Sequence, residues 1–217
     1  MSNTIARTNM IKQQLRTGDV LDDNILELFN TLPRDEFVPL HLKEFAYSDC
    51  QLPLGHNQRM MTPLEEGKIL QALQLKGHET VLEVGTGTGY LSALLSGLSR
   101  HVISIDYFAE FTANAKQRAV AHQCNNIEFI TGNAVGGWAD QAPFDVIVFT
   151  GGIAAVTEMH LLQLAPQGKL FAVVGHPPTM QAYLFQAKEN HQWHKTLCFE
   201  TELPALITDH HENSFVF

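Results

Sequence analysis

The sequence predicts an α/β fold in which helices cover both faces of a doubly wound, mostly parallel sheet. Short apolar runs alternate with helical patterns between residues 80 and 175, and a glycine-rich turn joins the first run to a helix. Buried parallel strands typically form continuous apolar runs, and the helices that connect them cover both faces of the sheet. No linker, internal repeat or low-complexity segment interrupts the chain. We therefore expect a single three-layer domain over residues 1–217.

The first part of the chain predicts a helical extension that precedes the sheet. Apolar side chains at helical spacing predict a helix over residues 4–16, with Gly18 as its left-handed C-terminal residue. Asp22 or Asp23 is expected to cap a second helix, which stops before Pro33.

Residues 34–58 predict loops with short extended pieces, and a third helix follows them. Residues 62–65, Thr-Pro-Leu-Glu, form a capping box with proline at the first helical position. In this motif the Thr62 hydroxyl accepts a hydrogen bond from the backbone of Glu65, whose carboxylate accepts one in return. The helix is expected to run to about Leu75.

From Thr80 onwards, strands and helices alternate along the chain. The predicted strands of this part cover residues 81–84, 101–106, 126–130, 144–150 and 169–175. The predicted helices cover residues 90–98, 109–122 and 156–164. Two further extended segments, at 182–187 and 196–203, predict an antiparallel edge of the sheet, and residues 210–217 are expected to form a mobile tail.

The composition excludes several classes of partner. Hydrophobic residues make up 45% and charged residues 17% of the chain, which is typical of a globular domain with one core. The net charge is 14 − 23 = −9, so neither nucleic acid nor an anionic membrane surface is an expected partner. Every apolar run is far shorter than the roughly 20 residues of a membrane span.

Cysteine and histidine usage favours a cytoplasmic protein without a metal centre. The chain has three cysteines outside any CxxC motif, and its start lacks the pattern of a signal peptide. It has 11 histidines but no HExxH motif, and the close pairs are His191 with His194 and His210 with His211. We interpret these histidines as solvated surface residues.

The strongest functional signal is the glycine-rich turn Gly-Thr-Gly-Thr-Gly at residues 85–89. It follows a strand and opens a helix, which is the context that a nucleotide-binding turn requires. The spacing is GxGxG rather than GxGxxG, and Tyr90 stands where a dinucleotide fold needs a small residue. Glu83 would repel a pyrophosphate, but it suits a ligand that carries an ammonium and a sulfonium group. S-adenosylmethionine carries both.

A second acidic residue supports an adenosine ligand. Asp106 ends the next predicted strand, where a carboxylate can accept hydrogen bonds from both hydroxyls of a ribose. Dinucleotide enzymes share this feature, so Asp106 alone does not choose between the two ligands. Without a ligand, Glu83, Asp106 and the turn would be an ordinary solvated loop.

Four further segments carry recognisable motifs. The most specific are Leu-Pro-Arg-Asp-Glu-Phe-Val-Pro at 32–39 and Leu-Pro-Leu-Gly-His at 52–56, and Gly-Asn-Ala at 132–134 and Gly-Trp at 137–138 follow later in the chain. Together with the glycine-rich turn, these segments resemble the protein-L-isoaspartate O-methyltransferase family of class I S-adenosylmethionine-dependent methyltransferases. The resemblance spans residues 7–175 and extends more loosely to residue 207.

The resemblance implies a Rossmann-like, seven-stranded sheet of order 3-2-1-4-5-7-6 and methylation of the side carboxylate of isoaspartyl residues in damaged proteins. Residues 1–76 would form a substrate-side extension, 77–175 the cofactor-binding core, and 176–217 C-terminal strands and tail. The implied cofactor neighbours are Glu83, Gly85, Thr86, Gly87, Asp106, Tyr107, Asn133, Ala134 and Thr150. Asn133 replaces the usual Asp, but its oxygen can still accept from the adenine amino group. Tyr107 is equally explained as a packing aromatic.

The sequence departs from the family pattern at residues 57–63, Asn-Gln-Arg-Met-Met-Thr-Pro. Met61 stands where the resemblance places the active-site serine. Thr62 is the nearest hydroxyl, although the capping box already engages it. Arg59 is a candidate carboxylate clamp, or otherwise a solvent-facing cation. Met60 and Met61 would also suit a more apolar pocket for another acceptor.

The loss of the serine leaves methyl transfer to a carboxylate feasible. Such an acceptor has a pKa of about 3.9 and is already ionised at neutral pH, so no general base is required. The serine would serve as an orienting hydrogen-bond donor. A hydrogen bond to a charged group contributes about 1.5–3 kcal/mol, which corresponds to a rate factor of about 10 to 150.

Three functions therefore remain open from the sequence. The first is methylation of isoaspartyl carboxylates. The second is the same cofactor chemistry on another acceptor, which Met61, Arg59 and the drift of a C-terminal family motif to Glu-Leu-Pro at 202–204 would favour. The third is a non-catalytic protein that binds S-adenosylmethionine. A nicotinamide enzyme is disfavoured by Glu83 and Tyr90.

Overall fold

The fold is built on a mixed seven-stranded sheet, and the computed structural model describes residues 2–188 and 192–208. A small hairpin, β1 (Leu52–Gly55) with β2 (Gln58–Met60), precedes this sheet. The strands of the main sheet are β3 (Thr80–Val84), β4 (His101–Asp106), β5 (Ile127–Thr131), β6 (Phe144–Ile153), β7 (Leu164–His176), β8 (Thr179–Ala187) and β9 (Trp193–Glu200). Their order is β5-β4-β3-β6-β7-β8-β9. The first five are parallel, and β8 and β9 form the predicted antiparallel edge.

The last two strands are arranged differently from the expected order 3-2-1-4-5-7-6. Counted within the sheet, the observed order is 3-2-1-4-5-6-7. Only Pro177 and Pro178 separate β7 from β8, and His176 pairs with Thr179. A link of two residues makes a hairpin and cannot carry the chain past an intervening strand, so β8 must lie beside β7.

The helices lie close to their predicted positions. They are α1 (Ser2–Met10), α2 (Asp23–Thr31), α3 (Pro63–Leu73), α4 (Tyr90–Leu98), α5 (Ala109–Ala121) and α6 (Glu158–Leu161). The Asp22 carboxylate caps α2, and Thr62 and Glu65 form the predicted capping box at α3. These caps satisfy backbone N–H groups that have no partner within their own helix.

The end of the first helix differs from the expectation for Gly18. The chain continues beyond α1 through a π-helical turn and a 3₁₀ turn, and Asp19 rather than Gly18 takes the left-handed conformation, with φ 67°. Gly18 instead lies under Leu64, whose Cδ1 would be 2.3 Å from an added Cβ. Glycine is therefore needed at position 18 so that the Leu64 side chain can pack against it, whereas the left-handed turn is made by Asp19.

Two further predictions are corrected between residues 34 and 164. The short extended pieces predicted within the loop at 34–58 are confirmed by β1 and the start of β2, but this segment also contains two 3₁₀ turns, Arg34–Glu36 and Leu40–Phe45. The predicted helix at 156–164 shortens to α6, because Leu164 already pairs with Phe144 as the first residue of β7. The predicted tail at 210–217 lies outside the described residues.

The sheet has an apolar core on each face. On one face, Val81, Val102 and Val146 pack with the buried sides of α2, α3 and α4. On the other face, Leu82, Ile103 and Ile147 are covered by α6 and by loop residues around Trp138 and Val156. This arrangement explains the continuous apolar runs of the parallel strands, since successive side chains point to opposite cores. Among the described residues, no helix is long and apolar enough to cross a membrane.

We predict that Gly89→Ala destabilises the protein more than Gly77→Ala. Both glycines have positive φ values, +81° and +89°, which disfavour a side chain by about 1–2 kcal/mol. A Cβ at Gly89 would also lie 2.6 Å from the Ala115 Cβ, whereas nothing lies within 4 Å of one at Gly77. Overpacking adds about 1–3 kcal/mol. Urea unfolding measures both changes.

A second substitution tests how much of this difference in stability comes from the close contact at Gly89. Ala115→Gly removes the atom that an added Cβ at Gly89 would meet, so it should recover part of the stability lost in Gly89→Ala. Equal destabilisation by Gly89→Ala and Gly77→Ala would show that the close approach of α4 and α5 is unimportant.

Candidate functional site

The glycine-rich turn lies at the carboxyl end of β3, between its neighbours β4 and β6. Consecutive connections leave β3 towards opposite sides of the sheet at this point, which is where open α/β sheets bind ligands. Gly85, with φ +103°, could not carry a side chain, because a Cβ would lie 2.2 Å from Thr150 Oγ1. The Thr150 hydroxyl donates to the carbonyls of Val84 and Gly85 and so fixes the turn against β6.

Asp106 holds the turn from the end of β4. Its Oδ2 accepts from the Gly87 N–H and its Oδ1 from the Phe108 N–H, both at 2.9 Å. Each carboxylate oxygen has a further lone pair, and Asp106 lines the cleft beside the turn. Burial raises the pKa of Asp106, and the backbone hydrogen bonds oppose that shift.

Glu83 presents one unsatisfied carboxyl oxygen in the buried end of the site. Its side chain is fully buried, and its Oε2 accepts from the hydroxyls of Ser92 and of Ser104, the latter at 2.6 Å. Its Oε1 has no hydrogen-bond partner within the described part of the chain. Burial raises the pKa of Glu83 to about 8, against the opposing effect of the two serine hydroxyls. A cationic ligand would supply the missing partner.

A cleft of about 540 Å³, measured to its open mouth, contains most of the predicted cofactor residues. Seven of the nine line it, namely Gly85, Gly87, Asp106, Tyr107, Asn133, Ala134 and Thr150. Its walls include the apolar side chains of Val84 and Ile105. The other two predicted residues, Glu83 and Thr86, line an adjoining cavity of about 320 Å³ that shares Gly85, Gly87 and Thr150 with the cleft. All nine therefore line one or the other of two adjoining cavities.

The far end of the cleft is formed by the loop after β5. The Asn133 Oδ1 accepts a hydrogen bond from the Val135 N–H at 3.1 Å. Ala134 is buried. Tyr107 is 46% exposed and touches Phe108 edge to face, so part of its ring is open to a ligand.

Only two of the three predicted acceptor-side residues lie in this space. Arg59 lines the cleft and the adjoining cavity, and the buried Met61 lines the cavity. Thr62 lines neither: its Oγ1 accepts from the Glu65 N–H at 3.1 Å, and its own N–H donates to the Glu65 carboxylate at 2.6 Å. Its position speaks against its use as a substitute for the serine.

A buried ion pair beside Met61 escaped the sequence analysis. Arg34 is fully buried and forms an ion pair with Glu66, which lines the same cavity as Met61. Arg34 also donates to the carbonyls of Met61 and Ala46. The only sequence signal was the position of Arg34 in the segment 32–39. Burial of a charged pair depends on tertiary contacts and leaves no local pattern.

The C-terminal segment covers the glycine-rich turn. The Leu206 N–H donates to the Gly152 carbonyl at 2.9 Å, and the Gly152 N–H donates to the Pro204 carbonyl at 2.8 Å. Leu206 and Ile207 line the cleft, and the Leu206 Cδ2 would lie 3.1 Å from a Cβ on Gly85. The sequence left open whether this end of the chain reaches the site.

The fold and the cleft together define a class I S-adenosylmethionine-dependent methyltransferase. The fully buried Glu83 carboxyl has one oxygen without a partner among the described residues, and Asp106 lines the cleft. Within residues 2–188 and 192–208, no group of three or more His, Cys, Asp or Glu side chains could hold a metal ion.

Comparison with known proteins identifies the family. The family model described as "Protein-L-isoaspartate(D-aspartate) O-methyltransferase (PCMT)" matches residues 5–202, and the chain belongs to this family. A protein-L-isoaspartate O-methyltransferase 1 of Polaromonas is 35% identical over 83% of this chain and 76% of its own length. A protein-L-isoaspartate O-methyltransferase of Koribacter versatilis is 38% identical over 82% of this chain and 80% of its own length.

Solved structures agree with this assignment. One protein-L-isoaspartate O-methyltransferase structure, 25% identical, superimposes with a TM-score of 0.79 over 93% of this chain and 66% of that chain. A Plasmodium falciparum structure, described as the same enzyme in complex with S-adenosyl-L-homocysteine, has a TM-score of 0.76 and 18% identity. It covers 94% of this chain and 98% of its own, and it shows the shared fold.

We predict that Glu83→Gln flattens the pH dependence of stability. The folded protein keeps the Glu83 proton up to a pKa of about 8, whereas the ordinary value is 4.5. At a pH between 4.5 and about 8, unfolding therefore releases this proton, and the free energy of unfolding falls as the pH rises through this range. The slope per group is about 1.4 kcal/mol per pH unit.

Urea unfolding at pH 5.5, 6.5 and 7.5 without ligand measures the effect. Glu66 contributes in the same direction up to its pKa of about 7, so the interval above pH 7 isolates Glu83 best. Glu128→Gln, at an exposed position on β5, is the matched control and should leave the slope unchanged. An equal slope in wild type and Glu83→Gln would show that Glu83 is ionised in the folded protein.

Proposed function

We propose that this protein transfers a methyl group from S-adenosylmethionine to the side carboxylate of isoaspartyl residues in damaged proteins. The observation that carries this proposal is that the predicted cofactor cleft adjoins a cavity lined by Arg59 and Met61. Membership of the family supports the choice of acceptor. The acidic net charge of −9 argues against nucleic acid as a partner, and free cysteines suit a cytoplasmic setting.

We assign each part of the cofactor to a different group of residues in the site. Glu83 would bind the ammonium group, Asp106 the ribose hydroxyls, and Asn133 with Ala134 the adenine, while Tyr107 would cover the ribose side. The backbone of Gly85 to Gly87, supported by the Thr150 hydroxyl, would form the surface beneath the ligand. When bound, S-adenosylmethionine supplies an electrophilic methyl group on a sulfonium.

The acceptor side of the cavity is proposed to be formed by the N-terminal part of the chain, within residues 1–76. Arg59 is the only lysine or arginine among the described residues that lines the cleft or the adjoining cavity. No ion pair or hydrogen bond engages its guanidinium within the described residues. A guanidinium can bind a carboxylate through two parallel hydrogen bonds, so Arg59 is suited to hold the acceptor.

The task of these residues is orientation, because an ionised carboxylate needs no base. The oxygen, the methyl carbon and the leaving sulfur must lie in line, and exclusion of water strengthens every charge interaction at that point. Leu54, Met60 and Met61 provide apolar walls, and Leu206 closes the cleft from above. Met61 offers no hydrogen-bond donor where the family pattern has a serine.

We predict base-labile transfer of labelled methyl to an isoaspartyl peptide and none to the matching aspartyl peptide. Met61→Ser adds a hydroxyl donor and should raise kcat/KM for the isoaspartyl peptide, by up to about 150-fold if the full hydrogen-bond energy appears in the barrier. Met61→Ala opens the same space without a hydroxyl and is the matched control. The measurement is the initial rate of label transfer at saturating S-adenosylmethionine.

The same assay tests Arg59. Arg59→Met keeps much of the side-chain volume but removes the cation, so kcat/KM for the peptide should fall while S-adenosylhomocysteine binding is unchanged. Label on neither peptide, from wild type and from Met61→Ser alike, would rule out the isoaspartyl acceptor. An unchanged kcat/KM in Arg59→Met would remove this residue from the acceptor site.

A further inference from the structure

Glu66 places a carboxyl group in the wall of the proposed acceptor cavity. It lies in α3, and its side chain is only 2% exposed. It lines the cavity together with Met61 and Arg59. Among the described residues, one Glu66 oxygen pairs with Arg34 and the other accepts no hydrogen bond.

Arg34 is locked in place and cannot follow a substrate. Its Nε donates to the Ala46 carbonyl at 2.9 Å, one terminal nitrogen donates to the Met61 carbonyl at 2.5 Å, and the other donates to Glu66. Its guanidinium lies 5.1 Å from the centre of the Tyr90 ring. Glu66 is therefore held rigidly, with its second oxygen available to the cavity.

An acceptor carboxylate that enters this cavity meets Glu66 at close range. If both groups were ionised they would repel each other, and repulsion in a buried site is strong. If Glu66 is protonated, its O–H can donate to the incoming carboxylate, and such charge-assisted hydrogen bonds are short and strong. The protonation state of Glu66 therefore decides whether it opposes or assists binding.

We propose that protonated Glu66 donates a hydrogen bond to the acceptor carboxylate and so takes over the role of the hydroxyl that Met61 lacks. This role presupposes the isoaspartyl activity proposed above. No bond to the proton breaks in the methyl-transfer step: the acceptor oxygen gains the methyl group, the carbon–sulfur bond breaks, and Glu66 keeps its proton.

The surroundings of Glu66 act on its proton in opposite directions. Burial raises the pKa of Glu66 to about 7, and the neighbouring Glu65 acts in the same direction, while Arg34 opposes them. Glu83 on β3 lines the same cavity. The charge of Glu66 raises the pKa of Glu83 and that of Tyr90 on α4. Arg59 is the remaining charged residue of the cavity, and an incoming carboxylate raises the pKa further.

The test is the pH profile of kcat/KM for an isoaspartyl peptide at saturating S-adenosylmethionine. Wild type should be constant below about pH 7 and fall by about 10- to 150-fold at higher pH, as the donor is lost. Glu66→Gln keeps an acceptor for Arg34 and a permanent N–H donor, so its profile should be flat and its activity at high pH should exceed that of wild type. Glu66→Met should be low at every pH.

Two further measurements separate a donor from a structural role. Adding Met61→Ser to Glu66→Met should restore kcat/KM for the isoaspartyl peptide. In the wild-type background, Met61→Ser should raise kcat/KM more at pH 8.5 than at pH 6. Calorimetry of peptide binding to the S-adenosylhomocysteine complex, in phosphate and in Tris at pH 8, should show proton uptake in wild type and none in Glu66→Gln. Thermal unfolding and S-adenosylhomocysteine binding report whether Glu66→Met is folded.

The outcomes distinguish this role from the proposed function. Label transfer with identical pH profiles in wild type and Glu66→Gln, or peptide binding without proton uptake, would overturn the role of Glu66 and leave the isoaspartyl activity intact. Absence of label on the isoaspartyl peptide at every pH, with and without Met61→Ser, would overturn both.

Discussion

The buried carboxyl of Glu83 is the constraint around which the site is organised. It sits at the end of β3 with one oxygen held by Ser92 and Ser104 and the other without a partner among the described residues. An unpaired buried charge is unfavourable, so the free protein favours the protonated form, and burial raises the pKa accordingly. A ligand with an ammonium group at this point would make ionisation favourable. The glycine-rich turn, Asp106 and the covering Leu206 then shape the remaining space for the rest of that ligand.

A second buried carboxyl, that of Glu66, lies on the proposed acceptor side of the site. Met61 stands where the sequence resemblance places a serine, and the nearest hydroxyl, that of Thr62, is held in a helix cap. Among the described residues, Arg59 is the one cation that lines the cavity, and two carboxyls line it: Glu83, and Glu66, which is anchored by Arg34. In the proposed acceptor step, Arg59 and protonated Glu66 would orient the carboxylate where a neutral hydroxyl would otherwise serve, so the rate of methyl transfer would depend on pH.

Much of the fold could be predicted because its signals are local. Strands β3 to β6 appear as short apolar runs, and the caps at Asp22 and Thr62 are determined by neighbouring residues. Long-range contacts decide the rest. The strand order after β7 depends on the two-residue turn, the helix before β7 is shortened by strand pairing, and Gly18 is small because Leu64 lies against it. The cofactor side of the site followed from a motif, whereas Ser92, Ser104 and the Arg34–Glu66 pair meet only in the folded chain.

Calorimetry of S-adenosylhomocysteine binding at pH 7, in buffers with different ionisation enthalpies, tests the central claim most directly. Glu83, with a pKa of about 8, is mostly protonated in the free protein at this pH. Its ionisation against the ammonium group of the ligand should release close to one proton per molecule bound. Glu83→Gln should bind more weakly and release none. Tight binding without proton release, equal in wild type and Glu83→Gln, would show that the buried carboxyl is not the group that recognises the ligand.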